Sequence, residues 1–143
     1  AGSLGEADPA ELLAGIRSLP PAAFRELVAD VWSARGWTTT VFSHSEAAVY
    51  DVLGAHEGSG ERLLLWTVQA GPDDRLDTGV IERCRTTLDR SQGATRATVV
   101  TTGPVEETTR RRAAELDVEV VDGEALCDLL AATDRLDRVP APP

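Results

Sequence analysis

Three residue types are missing outright: the chain has no lysine, no asparagine and no methionine. Without lysine every basic side chain is a guanidinium, which cannot be deprotonated and acts only electrostatically. Aromatic residues are scarce at 4%, so leucine, valine and alanine must fill the core. The only two cysteines, Cys84 and Cys127, fall in predicted helices without metal-ligand spacing, and read as reduced thiols of a cytoplasmic protein. No apolar run approaches the roughly 20 residues of a membrane span, and no charged-then-apolar leader opens the chain.

What is present is acid. The 143 residues carry a formal net charge of −10, with a hydrophobic fraction of 42% that is ordinary for one globular domain. Abundant Asp, Glu, Thr, Val and Ala without lysine suits a halophilic, salt-loaded cytoplasm or a GC-rich genome. Such a charge normally argues against nucleic acid. In strong salt that argument weakens, because counterion release contributes little there. Charge alone decides nothing.

Residues 1–7 read as a flexible leader, 8–133 as a single domain, and the proline-rich 134–143 as a tail or linker. The linker-like end implies a fused or partner domain beyond it. Asp8 and Pro9 make an N-cap and first-turn pair for a helix bearing Leu12, Leu13 and Ile16. Pro20 and Pro21 break it and restart a helix to Ala34, with Phe24, Leu27, Val28, Val31 and Trp32 at helical spacing. Gly36 stands where a C-cap glycine belongs. Strands are predicted at 37–42, 49–55, 62–69, 95–102 and 118–121. Helices are predicted over 78–90, after Gly103 and Pro104, and after the capping Asp122. The order α-α-β-β-β-α-β-α-β-α implies a mixed sheet of about five strands flanked by helices on both faces.

The hairpin from Val49 to Gln69 organises the chain. Its second strand is apolar from Leu63 to Val68, the mark of a central strand buried on both sides. Alternation on the first strand puts Val49, Asp51, Leu53 and Ala55 on one face. A carboxylate among apolar neighbours is costly to bury alone. Gln69, at the end of the neighbouring strand, could set its amide close to Asp51. Asp51 reads equally as a metal ligand and as a hydrogen-bonded structural acid.

These motifs, in this order, resemble the Mrr-type restriction endonuclease domain, of the PD-(D/E)xK nuclease superfamily. The similarity runs from about Leu19 to Leu130, through Phe24-Arg-Glu-Leu-Val28, Trp32 to Trp37, Asp51-Val-Leu-Gly-Ala55, Val68-Gln-Ala70, Gly93 to Gly103, and Glu119 to Gly123. The resemblance implies a restriction-endonuclease-like α/β fold that acts on DNA with Mg²⁺. Asp51 takes the catalytic aspartate position and Gln69 the second ligand position. Glu46 lies near a family acidic residue, with Ala47 and Ala48 in place of glycines. The catalytic lysine position is Gly71, which has no side chain. Removing one preorganised charge stabiliser typically lowers rate on the order of a hundred- to a thousand-fold.

Arg62 and Arg75 are candidates to supply the missing cation. Together with Arg83 they are candidate phosphate contacts, beside Arg85 and the run Arg110 to Arg112, which reads first as a solvated helix face. His44 and His56 are lone histidines, and Trp32, Trp37 and Trp66 sit at core spacing. Three functions follow: a DNA-associated, regulatory nuclease-fold module degenerate in cleavage; an active Mg²⁺-dependent endonuclease with a migrated cation; or a protein-interaction or dimerisation domain that keeps only the fold.

Overall fold

The computed structural model describes residues 9–42, 51–71, 73–91 and 93–139. Expectations resting on Asp8, His44, Glu46 and Val49 lie outside the described residues. Two helices, α1 (Pro9–Arg17) and α2 (Pro21–Ala34), lead into a meander of β1 (Thr38–Val41), β2 (Val52–Ala55) and β3 (Arg62–Val68). Then come α3 (Thr78–Arg90), β4 (Arg96–Thr101), α4 (Glu107–Leu116), β5 (Glu119–Val121) and α5 (Gly123–Ala132). A short 3-10 turn, Leu136–Arg138, follows.

The sheet is mixed and its strands lie in chain order, β1-β2-β3-β4-β5. The two hairpin pairings are antiparallel, with Val52 opposite Leu65. β4 and β5 add in parallel, with Leu65 opposite Thr98 and Val99 opposite Val120. β3 is therefore the central strand, and its side chains alternate between two cores. Leu63 and Leu65 pack with Ile16, Phe24, Trp32 and Leu126, from α1, α2 and α5. Leu64 packs with Ile81, Cys84, Leu88 and Ala113, from α3 and α4, and half-buried Trp66 and Val68 join that side. An apolar run serves both layers because each face of the strand has its own helices to meet.

Helix ends follow local chemistry. Asp77 caps α3 by accepting from the Gly79 N–H at 3.1 Å, and Asp122 caps α5 through the Ala125 N–H at 2.8 Å. Gly36 closes α2 at φ +99°, a conformation that disfavours any side chain. Leu136 and Val139 pack on the first core, and Arg135 and Arg138 reach Asp30 of α2 at 2.9 and 3.6 Å. Among the described residues, no helix is long and apolar enough to cross a membrane.

The C-terminal ends of the parallel strands come together tightly. A Cβ built on Gly123 would stand 2.7 Å from the Thr102 carbonyl oxygen and 2.9 Å from Leu13 Cδ2. Gly123→Ala is expected to destabilise the fold by about 1–3 kcal/mol through overpacking. Chemical denaturation checks this; an unchanged midpoint would show that α5 does not abut the end of β4.

Candidate active site

β3 outruns β2, and that mismatch creates the site. Thr67 lies past the described start of β2, and there the Asp51 carboxylate meets it: its Oδ2 accepts from the Thr67 N–H at 2.7 Å and from the Thr67 hydroxyl at 3.1 Å. Asp51 itself sits in a bend just before β2 and donates its own N–H to the Leu65 carbonyl at 2.9 Å. A half-buried acid among apolar side chains is thereby satisfied by backbone.

The next three residues are held one by one. Gln69 Nε2 donates to the carbonyls of Ile16 and Leu19 at 3.2 and 2.9 Å, which spends the amide nitrogen on the turn between α1 and α2. Ala70 exchanges bonds with the buried Thr102, whose hydroxyl oxygen meets both its N–H and its carbonyl oxygen at 2.8 Å. Arg17, from the last turn of α1, lays its guanidinium on the Ala70 carbonyl at 2.7 Å and on the Thr102 carbonyl at 2.6 Å. Gly71 donates its N–H to Asp74 Oδ2 at 2.9 Å.

Asp51 and Gln69 are thus brought to the same end of β3, on either side of Thr67, but committed to different partners. The sequence expectation of an amide turned toward the carboxylate is corrected in its nitrogen, which faces the α1–α2 turn. Two donors to carbonyls fix the nitrogen and leave Oε1 as the only candidate ligand atom. Arg62 is also corrected as a substitute cation. It opens β3, five residues before Thr67, or roughly 17 Å away at strand rise. Arg75 lies at the right end, in the loop after Gly71, and pairs with Glu106 at 3.6 Å. Arg83 is exposed on α3. Of the other arginines, Arg85 meets Asp89, Arg110 meets Asp122, Arg111 meets Glu107 and Arg112 meets Glu82.

Arg17 and Thr102 carried no signal in the sequence; each acts through contacts tens of residues distant. His56 lies near the hairpin turn, where its Nδ1 accepts from the Ser59 N–H at 3.2 Å and its ring meets Trp37 edge-on. Trp32 is fully buried, while Trp37 and Trp66 are half-buried against the two cores.

Do these groups fit Mg²⁺? The ion wants several hard oxygen ligands in octahedral array. One Asp51 oxygen already serves Thr67, the Ala70 carbonyl faces a guanidinium, and no cluster of three His, Cys, Asp or Glu exists among the described residues. The described residues do not fit the ion.

This geometry belongs to a known class of fold. The chain is similar to the DNA modification-dependent restriction endonuclease AspBHI, at TM-score 0.71 and 14% identity over 96% of this chain and 41% of that one. It is similar to the restriction endonuclease MspJI, solved with a 27-mer oligonucleotide, at TM-score 0.64 and 16% identity over 96% and 37%. It is also similar to AF1548, a protein of unknown function, at TM-score 0.68 and 13% identity over 79% and 66%. The chain therefore spans between about a third and two thirds of these neighbours' lengths. No curated protein matches it in sequence. A restriction endonuclease family model, the Mrr catalytic domain, matches residues 16–130, and the chain belongs to that family.

Asp51→Ala is expected to cost about 1–3 kcal/mol by orphaning the Thr67 N–H, whereas Asp51→Asn keeps an acceptor and loses less. Urea unfolding of both variants checks this, and equal loss would contradict it.

Cys84 supplies a second test from the same neighbourhood. Burial pushes its thiol from 9.0 up to about 12, with the Arg83 guanidinium opposing and the Asp51 carboxylate reinforcing the shift. A raised acid favours the fold fully below about pH 9, and that contribution is lost as pH climbs toward 12. Stability should therefore fall by about 1.4 kcal/mol per pH unit from this thiol across that window. Denaturation of wild type and Cys84→Ala between pH 8 and about 11 checks the sign; parallel curves would contradict it.

Proposed function

We propose that this domain associates with DNA as a nuclease-fold module whose phosphodiester cleavage is impaired. One observation carries the reading: at the position two beyond Gln69, where the family resemblance calls for lysine, Gly71 offers only a backbone N–H, and that N–H is bonded to Asp74. The surrounding groups support it. Asp51 serves the fold through Thr67, and Gln69 Nε2 serves the α1–α2 turn. The guanidinium on Ala70 would repel a divalent ion at that carbonyl. Mg²⁺ is the cofactor the family implies. DNA as partner is supported by family membership and by the similarity to MspJI, the neighbour solved with an oligonucleotide.

The test joins binding to cleavage. Duplex binding should be measurable at low salt and weaken as salt rises. Nicking of supercoiled DNA with Mg²⁺ should be no greater for wild type than for Asp51→Ala. Gly71→Lys should fold, since Gly71 has no positive φ and a new Cβ would meet only the movable Asp74 side chain, its Oδ2 at 3.2 Å. It should still not cut, because the other groups stay committed. Mg²⁺-dependent nicking that Asp51→Ala abolishes would overturn the impairment. Absence of both duplex and single-strand binding at low salt would overturn DNA association in favour of a protein-interaction role.

A further inference from the structure

Helix α3 carries Val80, Arg83, Thr87 and Arg90 at intervals of three and four, which a 3.6-residue turn stacks into one stripe. The stripe walls a groove of about 840 Å³ whose lining includes Trp66 and Val68, from the C-terminal half of β3. Arg75, Arg85, Arg96, Arg110, Arg111, Arg112, Arg135 and Arg138 all stand within ion-pair distance of a carboxylate. Among the described residues, Arg83 and Arg90, like Arg17, Arg35 and Arg62, have no carboxylate within ion-pair distance, and these two share one groove. The carboxylate on the groove's lining, Glu82, is taken up by Arg112 at 3.1 Å. On a protein of net charge −10, this wall presents two uncompensated guanidinium groups.

Seven residues of helix set the two arginines about 10.5 Å apart along the axis, so they can meet separate phosphates of one strand. The indole of Trp66 lines the same groove, an apolar platform with a polarisable face. A base can reach a platform inside a cleft only when it is unpaired, because duplex bases are stacked on one another behind the backbone. The groove also borders the candidate site, since its lining residues Trp66 and Val68 flank Thr67, on which Asp51 is held.

We infer that the α3 groove holds a single-stranded stretch of nucleic acid, with an unpaired base stacked on Trp66 and flanking phosphates on Arg83 and Arg90. This rests on the DNA-association reading and narrows it to an unpaired or extruded nucleotide.

Fluorescence anisotropy of the full chain with labelled oligo(dT) of about a dozen nucleotides, and with a duplex of equal length, tests it. The oligo(dT) should bind at low salt, and more tightly than the duplex. Arg83→Gln/Arg90→Gln should weaken it about tenfold and flatten the salt slope by about 1.4, at about 0.7 for each phosphate that no longer meets a guanidinium. Arg83→Lys/Arg90→Lys should restore the slope, and guards against a fold defect that thermal melts would also reveal. Trp66→Phe should remove most of the quenching of intrinsic fluorescence by oligo(dT). Duplex binding without oligo(dT) binding overturns this inference and leaves DNA association standing. Binding of neither overturns both. Oligo(dT) binding untouched by the glutamine pair overturns the groove.

Discussion

The contact on which this arrangement turns is a carboxylate on a backbone amide. β3 continues past the described start of β2, and there the Thr67 N–H is met by Asp51 Oδ2 at 2.7 Å. A buried donor left unpaired costs about 1–3 kcal/mol. The motif resemblance assigns the same side chain to the aspartate position of the restriction endonuclease domain. An acid that could hold a metal is thus also the acid that finishes the central strand. The fold can keep it for the second reason whether or not the first still applies.

From that contact the rest of the strand end follows. Residues 69–71 leave the sheet and cannot rely on ladder bonds, so each is held by a different element. Gln69 is tied to the α1–α2 turn, Ala70 to Thr102 and Arg17, and Gly71 to Asp74. The result is a strand end held by several different elements. Here the positive charge at the strand end, Arg17, is bound to carbonyls and works as a clasp.

Much of this was readable beforehand. The apolar run from Leu63 to Val68 identified β3 as central, because only a strand covered on both faces tolerates such a run. Asp122, Gly36 and the paired prolines marked helix ends through chemistry confined to a few residues. The family resemblance singled out Asp51, Gln69 and Gly71 from motif order. What could not be read was the far end of each hydrogen bond. Arg17 meets carbonyls 53 and 85 residues away, and nothing local separates a helix-ending arginine that caps from one that clasps two strands. Arg62 failed as a substitute cation for a similar reason: sequence proximity to Gln69 conceals a strand's length. Periodicity does place Arg83 and Arg90 on one face of α3, but only the fold shows which arginines have carboxylates beside them.

The central claim is that Asp51 is committed to the backbone of β3. Amide hydrogen exchange at Thr67, followed with and without millimolar Mg²⁺, tests it most directly. The Thr67 amide is expected to show protection comparable to Leu65, lost selectively in Asp51→Ala and unchanged by the ion. A Thr67 amide that exchanges like a loop residue in the wild type, or one that Mg²⁺ deprotects by drawing the carboxylate away, would contradict it.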